Sequence, residues 1–214
     1  MNDFSVGMAL FDYIPVIFFA IGAIILLRDL YNKMSKGAFA LFAAGVIDVT
    51  MAGFLKATWK LLYAGAKMDI SAFNAMFFPV QSIGFLLAGI GIIAMLTHKQ
   101  SERETKLHSA APLVPVVSIT FPYLVLVMVA GLGLMDVGLC VLSKKLKKPC
   151  IIVIFILSFV CSLGMGYLST KDFENASMNW IAEGVNFCGQ GLFLLGAWML
   201  HKAGLADLKL EKDI

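Results

Sequence analysis

"LHSAAPLVPVVSITFPYLVLVMVAGLGLMDVGLCVLS" (Leu107–Ser143) decides how many times this chain crosses a membrane. It is too long for one span of about 20 residues and slightly short for two. Around it the reading is plain. Apolar runs at about 10–27, 38–63, 74–97, 150–168 and 178–201 each have the length and composition of a transmembrane helix. The chain has 214 residues, of which 60% are hydrophobic and 14% charged. A soluble domain carries about 25% charged residues. The fold class is therefore all-α, a polytopic membrane helical bundle forming a single integral membrane domain over 1–214. The opening "MNDFSVGMALFDYIPV" has neither a basic n-region nor a small-residue cleavage site, so it does not read as a cleaved signal peptide.

Charge bias arbitrates the difficult stretch, because cytoplasmic loops collect Lys and Arg. Read as one span, 107–143 gives six helices and spreads the basic residues almost evenly over both sides. Read as two spans with a turn near Thr120–Tyr123, it leaves only Lys56, Lys60, Lys67 and Lys171 on one side. Every other Lys and Arg falls on the opposite side. The preferred topology is seven transmembrane helices, with the N-terminus outside, a short linking span at 107–121 and a cytoplasmic tail at 202–214. Pro112, Pro115 and Pro122 suit a short, irregular fourth span. A six-helix chain with one long kinked fourth span is the alternative.

An internal repeat supports the same layout. The third span ends "FLLAGIGIIAMLTHK" and the last ends "FLLGAWMLHK". A shift of 105 residues lays Asn74, Phe78, Gln81 and Phe85 on Asn179, Glu183, Asn186 and Gln190. Each set belongs to the third member of a three-helix unit, 10–97 or 123–201. In a 3+1+3 chain the two units lie parallel, whereas in a six-span chain they are inverted.

This layout resembles the SWEET sugar facilitators and the wider PQ-loop group. "RDLYNKMSKGAFALFAAG" (28–45) is similar to that group's basic first loop and the start of its second helix. "WKLLYAG" (59–65) is similar to the close of the second helix, and "NFCGQGLFLLG" (186–196) to the third helix of the unit. The Pro-Gln pair of that group is absent. Pro15 has no Gln after it, and the Gln nearest a membrane proline is Gln81, in "FPVQ" of the third span. The resemblance implies passive or proton-linked movement of a small polar solute through a central pocket. It lays the family's pocket Asn on Asn186, and less directly on Asn74 or Gln81.

Side chains in lipid need a partner helix or a water-filled cavity if they are polar. Asn179, Glu183, Asn186 and Gln190 recur at i, i+4, i+7 and i+11, one stripe of a helix. The functional reading is a lining for a solute path, joined by Asn74 and Gln81. The bland reading is interhelical hydrogen bonding, worth about 0.6 kcal/mol per bond. Asp48 ("AAGVIDVTMAG") and Asp136 ("GLGLMDVG") are acids deep in their spans and are candidates for proton coupling. Lys56 and Lys60 flank Trp59 near a span end. They read as snorkelling cations, or else as partners of Glu183 or attractors of an anionic solute.

His98, His108 and His201 fall at span ends without metal-ligand spacing, and Cys140, Cys150, Cys161 and Cys188 are scattered with no C-x-x-C pair. No cofactor or metal is expected. Gly-x-Ser-x-Gly, P-loop and His-Glu-x-x-His signatures are missing, and the last span lacks a lysine for a retinal Schiff base. The partners to expect are the lipid bilayer and a small polar solute, not nucleic acid; homo-oligomer formation stays open. The leading function is a transporter or facilitator of a small polar solute, through a pocket between the two three-helix units. The alternatives are a membrane ligand-sensing or partner-binding protein without transport, and an intramembrane lipid-modifying enzyme built on Asp48, Asp136 and Glu183.

Overall fold

The computed structural model describes residues 5–97, 121–168 and 176–210. A short helix α1 (Val6–Phe11) passes through Asp12 into α2 (Tyr13–Leu30). Then follow α3 (Lys36–Ala66), α4 (Ser71–Thr97), α5 (Phe121–Lys145), α6 (Pro149–Leu168) and α7 (Ala176–Lys202). Among the described residues there is no strand. The sequence dictates where several helices start and stop. The hydroxyls of Ser5 and Ser35 accept from the backbone N–H of Met8 and Ala38, each at 3.2 Å, and so cap α1 and α3. Lys67, at φ 54°, and Gly204, at φ 86°, turn the chain left-handed after α3 and α7.

Five stretches are long and apolar enough to cross a membrane: Val6–Leu30, Lys36–Ala66, Ser71–Thr97, Tyr123–Lys145 and Pro149–Leu168. The molecule is thus a multi-pass helical membrane protein. Helix α7 matches α4 in length, 27 residues each. It is less apolar because it carries the Asn179–Glu183–Asn186–Gln190 stripe. The described residues hold six long helices, not seven; the linking span expected at 107–121 falls almost wholly at residues outside the described ones.

The six long helices pack in chain order as a closed ring, each against the next and α7 back against α2. Contact registers fix their directions. Gly84 faces Gly45, and Gly91 faces Ala38 and Phe42, so α3 and α4 are antiparallel. Ser158 binds the Gly189 carbonyl at 2.9 Å while Gly196 faces Phe155, so α6 and α7 are antiparallel too. In contrast, Gly131 faces Phe85 and Leu86, Gly89 faces Leu134 and Met135, and Gly138 faces Ile92. The numbers rise together, so α4 and α5 are parallel neighbours. Helices α2 and α7 are parallel as well: Phe18 meets Phe187, Phe19 stacks on Phe193, and Asp29 meets His201.

Helix direction therefore alternates along α2–α4 and along α5–α7, and two parallel pairs, α4–α5 and α7–α2, close the ring. Helices α2, α4, α5 and α7 all begin at one end of the bundle and finish at the other. Small residues make the close approaches. A Cβ on Gly84 would stand 2.8 Å from the Gly45 carbonyl oxygen, and one on Gly91 2.7 Å from the Phe42 backbone nitrogen.

Toward the finishing end the interior is solid. Leu26, Leu30, Phe42, Ile92, Leu139, Leu142, Ile151, Phe155, Leu200 and Leu205 are fully buried there. Leu205 belongs to a single 3-10 turn after α7 that folds back against α2 and α7. A cluster of Arg28, Asp29 and His201 ties α2 to α7 at this end. The Arg28 Nε–H donates to Asp29 Oδ1 at 3.1 Å, and His201 Nδ1 lies 3.0 Å from Asp29 Oδ2. Lys33 Nζ donates to the Ala206 carbonyl at 2.7 Å, holding the returning turn.

Candidate functional site

The opposite half of the ring is hollow. A cavity of about 130 Å³ lies there, and all six long helices line it. Its floor is aromatic. Phe19 stacks on Phe193 at 5.0 Å between ring centroids and meets Phe85 edge-on at 5.9 Å; Phe155 continues the layer at 6.4 Å from Phe193. Below that floor begins the solid core.

Charge is concentrated at the top. Lys60, on the penultimate turn of α3, is only 7% exposed. Its ammonium donates to Glu183 Oε1 of α7 at 2.7 Å and lies 2.5 Å from Oδ2 of Asp12, at the α1–α2 junction. Both carboxylates are buried beside it. The long lysine stem thus joins both units through one nitrogen. Lys56, one turn earlier on α3, also lines the cavity and sits over the ring of Phe77, 3.9 Å from its centroid. Among the described residues no carboxylate lies within ion-pair distance of Lys56. Asp12 Oδ1 is buried and, among the described residues, meets no hydrogen-bond donor.

Lower on the wall come Gln81 of α4, Ser162 of α6, and Asn186 and Gln190 of α7. Phe77, Phe78, Met128, Leu132 and Met165 supply apolar surface between them. Phe78, Gln81 and Phe85 line the cavity, and so do Glu183, Asn186 and Gln190. Helices α4 and α7 stand opposite each other in the ring and run in the same direction.

Not every candidate residue gathers here. Asn74 is exposed on the first turn of α4, and Asn179, half-buried, stands beyond the cavity wall on α7. Asp48 is half-buried on the α4-facing side of α3, near Gly84, and does not reach the cavity. Asp136 of α5 is buried outside the cavity, and neither of its oxygens meets a donor among the described residues. The three acids considered for intramembrane catalysis therefore do not form one site: only Glu183 lines the cavity. His98 and His108 lie outside the described residues, while His201 belongs to the cluster with Asp29.

The reading of Lys60 as a snorkelling cation is overturned; it pairs with Glu183, the alternative weighed in the sequence. Asp12 escaped the sequence analysis altogether. It sits at the very start of an apolar run, where an acid passes for a loop residue. The signal that could have found it is depth. Asp12, Lys60 and Glu183 all lie about one to two turns inside the same end of their helices, so opposite charges share one level of the bilayer.

No family model matches this chain, and no curated protein or solved structure is similar enough to it to carry an argument.

Proposed function

We propose that the chain is a small-solute transporter or facilitator whose binding pocket is the cavity between the two three-helix units. One observation carries this reading: every long helix contributes to a single cavity that is polar and charged toward one end and closed by packed side chains toward the other. Such a half-open bundle is one state of an alternating-access cycle, in which two like units rock about a central site. The weak resemblance to the SWEET and PQ-loop group points to the same mechanism. In that cycle the Asp29–His201–Arg28 cluster and the packed core part when the far side opens.

Seven spans belong to the same proposal. Parallel α4 and α5 leave Thr97 and Phe121 at opposite ends of the bundle, which supports one further crossing. The basic residues Arg28, Lys33, Lys36, Lys144, Lys145, Lys147, Lys148 and Lys202 gather at the packed end, which favours a cytoplasmic location for that end. Cysteines placed at Lys145 and Lys67 in sealed vesicles are expected to react from opposite sides. Labelling of both from the same side would remove this topology.

Transport itself is tested in proteoliposomes. Single-cysteine protein retaining only Cys161, which lines the cavity, should react with a small water-soluble thiol reagent from the side opposite Lys145. Glu183→Gln should slow uptake of any transported solute. A Cys161 that no aqueous reagent reaches from either side would sink the pocket reading.

The sealed packed half favours a second reading, a ligand-sensing membrane protein. It predicts saturable binding with no uptake at all.

A further inference from the structure

The charges around the cavity do more than hold the helices. Two carboxylates, Asp12 and Glu183, and two ammonium groups, Lys56 and Lys60, sum to zero when all four are ionised. Lys60 consumes one oxygen of each acid. Among the described residues, the ammonium of Lys56, held over an aromatic face, then has no ion-pair partner, and one buried carboxylate oxygen, Asp12 Oδ1, meets no donor. A buried acceptor left without a donor is costly, and so is a cation in a low-dielectric wall without an anion. A solute that brings one cationic donor and one anionic acceptor completes both at once and leaves the site neutral. A solute with net charge brings an uncompensated charge into the cavity.

The rest of the lining limits the solute's body. Phe77, Phe78, Phe85, Met128, Leu132 and Met165 present apolar surface, and Gln81, Asn186 and Gln190 offer amides. At about 130 Å³ the cavity is slightly smaller than the apolar cavity of about 150 Å³ that holds benzene. The occupant is therefore small.

Resting on the reading of this cavity as a solute pocket, we infer that its ligand class is a small zwitterion with an apolar substituent, an aliphatic α-amino acid or a close analogue. Its ammonium meets Asp12 Oδ1 and its carboxylate meets Lys56. Glu183 and Lys60 form the frame that keeps Asp12 in place.

The experiment is equilibrium binding to the full chain reconstituted in lipid, with four probes of related size: leucine, 3-methylbutylamine, 4-methylpentanoate and glucose. Leucine is expected to bind tightest. Losing either charged end is expected to weaken binding about 10-fold or more, within the range for one unmade buried hydrogen bond to a charged group. Lys56→Met should weaken leucine by a similar factor and bring 3-methylbutylamine level with it or ahead of it, because the site then carries excess negative charge.

If 4-methylpentanoate binds as tightly as leucine, the ammonium subsite is absent and the inference is overturned. If glucose binds tightest, the pocket stands and its ligand class is a neutral polyol, which also overturns the inference. If none of the four binds while Cys161 remains reachable from water, the zwitterion inference fails and the pocket reading survives. An unreachable Cys161 removes the pocket reading itself.

Discussion

The two halves of this bundle are made from the same six helices, yet one is hollow and the other is solid. The difference lies in which side chains turn inward. In the packed half a glycine is the seat for a large side chain: a Cβ on Gly196 would stand 2.7 Å from the ring of Phe155, and one on Gly91 2.9 Å from Cβ of Phe42. Around the cavity the neighbours are smaller or more distant: a Cβ on Gly53 would meet Val16 at 2.9 Å, one on Gly189 would meet Cys161 at 3.0 Å, and one on Gly166 would meet the tip of Met128 at 3.7 Å. There the inward-facing side chains border empty space instead of one another. Charged and amide side chains then occupy the wall, since they cannot face lipid cheaply. One half is thus held by dispersion and the other by a few directed polar contacts.

The strongest challenge to this comparison is removal of the central cation. Lys60→Met leaves Asp12 and Glu183 buried side by side without their shared partner. The expected loss is about 3–5 kcal/mol of stability, the usual effect of breaking a buried ion pair from one side. Unfolding in detergent with a chemical denaturant measures it. Neutralising all three, as Lys60→Met with Asp12→Asn and Glu183→Gln, should recover most of that loss. A triple variant no more stable than the single one would show that the lysine's stem, not its charge, holds the hollow half together.

In the packed half the corresponding change is Leu139→Ala. Leu139 is fully buried in α5. Truncating such a side chain costs about 3 kcal/mol through lost contacts and the cavity left behind. Phe78→Ala on the hollow side removes more atoms from a residue that is only partly buried and already borders empty space. It should cost less than Leu139→Ala in the same unfolding assay. Equal costs would mean that the two halves are packed alike.

Much of the hollow half could be read from the sequence, because polarity inside an apolar run is itself the signal. Glu183, Asn186 and Gln190 line the cavity where helical periodicity aligned them, and Gln81 joins them from α4. Periodicity alone extended the stripe too far. Asn74 and Asn179 lie nearest the helix starts, where a polar side chain reaches water without a pocket. Asp48 and Asp136 show the opposite limit. Depth along a span is legible in the sequence, but the direction a residue faces is not, since the α3–α4 and α4–α5 glycine contacts rotate those acids away from the cavity. The parallel pairing of α4 and α5 was legible only indirectly, through the charge bias that argued for an extra crossing.

The smallest expected effect is also the sharpest test of whether the polar wall exists for the bundle or for a ligand. Asn186 is half-buried on α7, facing the cavity one turn below Glu183. If its amide only bridges helices, Asn186→Ala should cost about 0.6 kcal/mol of stability, the average for an interhelical hydrogen bond in a membrane protein. Ligand binding would then fall by no more than a factor of about 3, the equivalent of that energy. If the amide instead contacts solute, stability should hardly change while affinity falls about 5- to 150-fold, the loss from one unmade buried hydrogen bond of about 1–3 kcal/mol. Asn186→Asp separates the cases further. It keeps an acceptor but adds a negative charge near Glu183, so a ligand-facing position should respond with weaker binding of anionic probes. Measured on one preparation, the ratio of the binding loss to the stability loss decides between them. A ratio near one would assign Asn186 to the architecture and leave Asp12 and Lys56 as the residues that recognise the ligand.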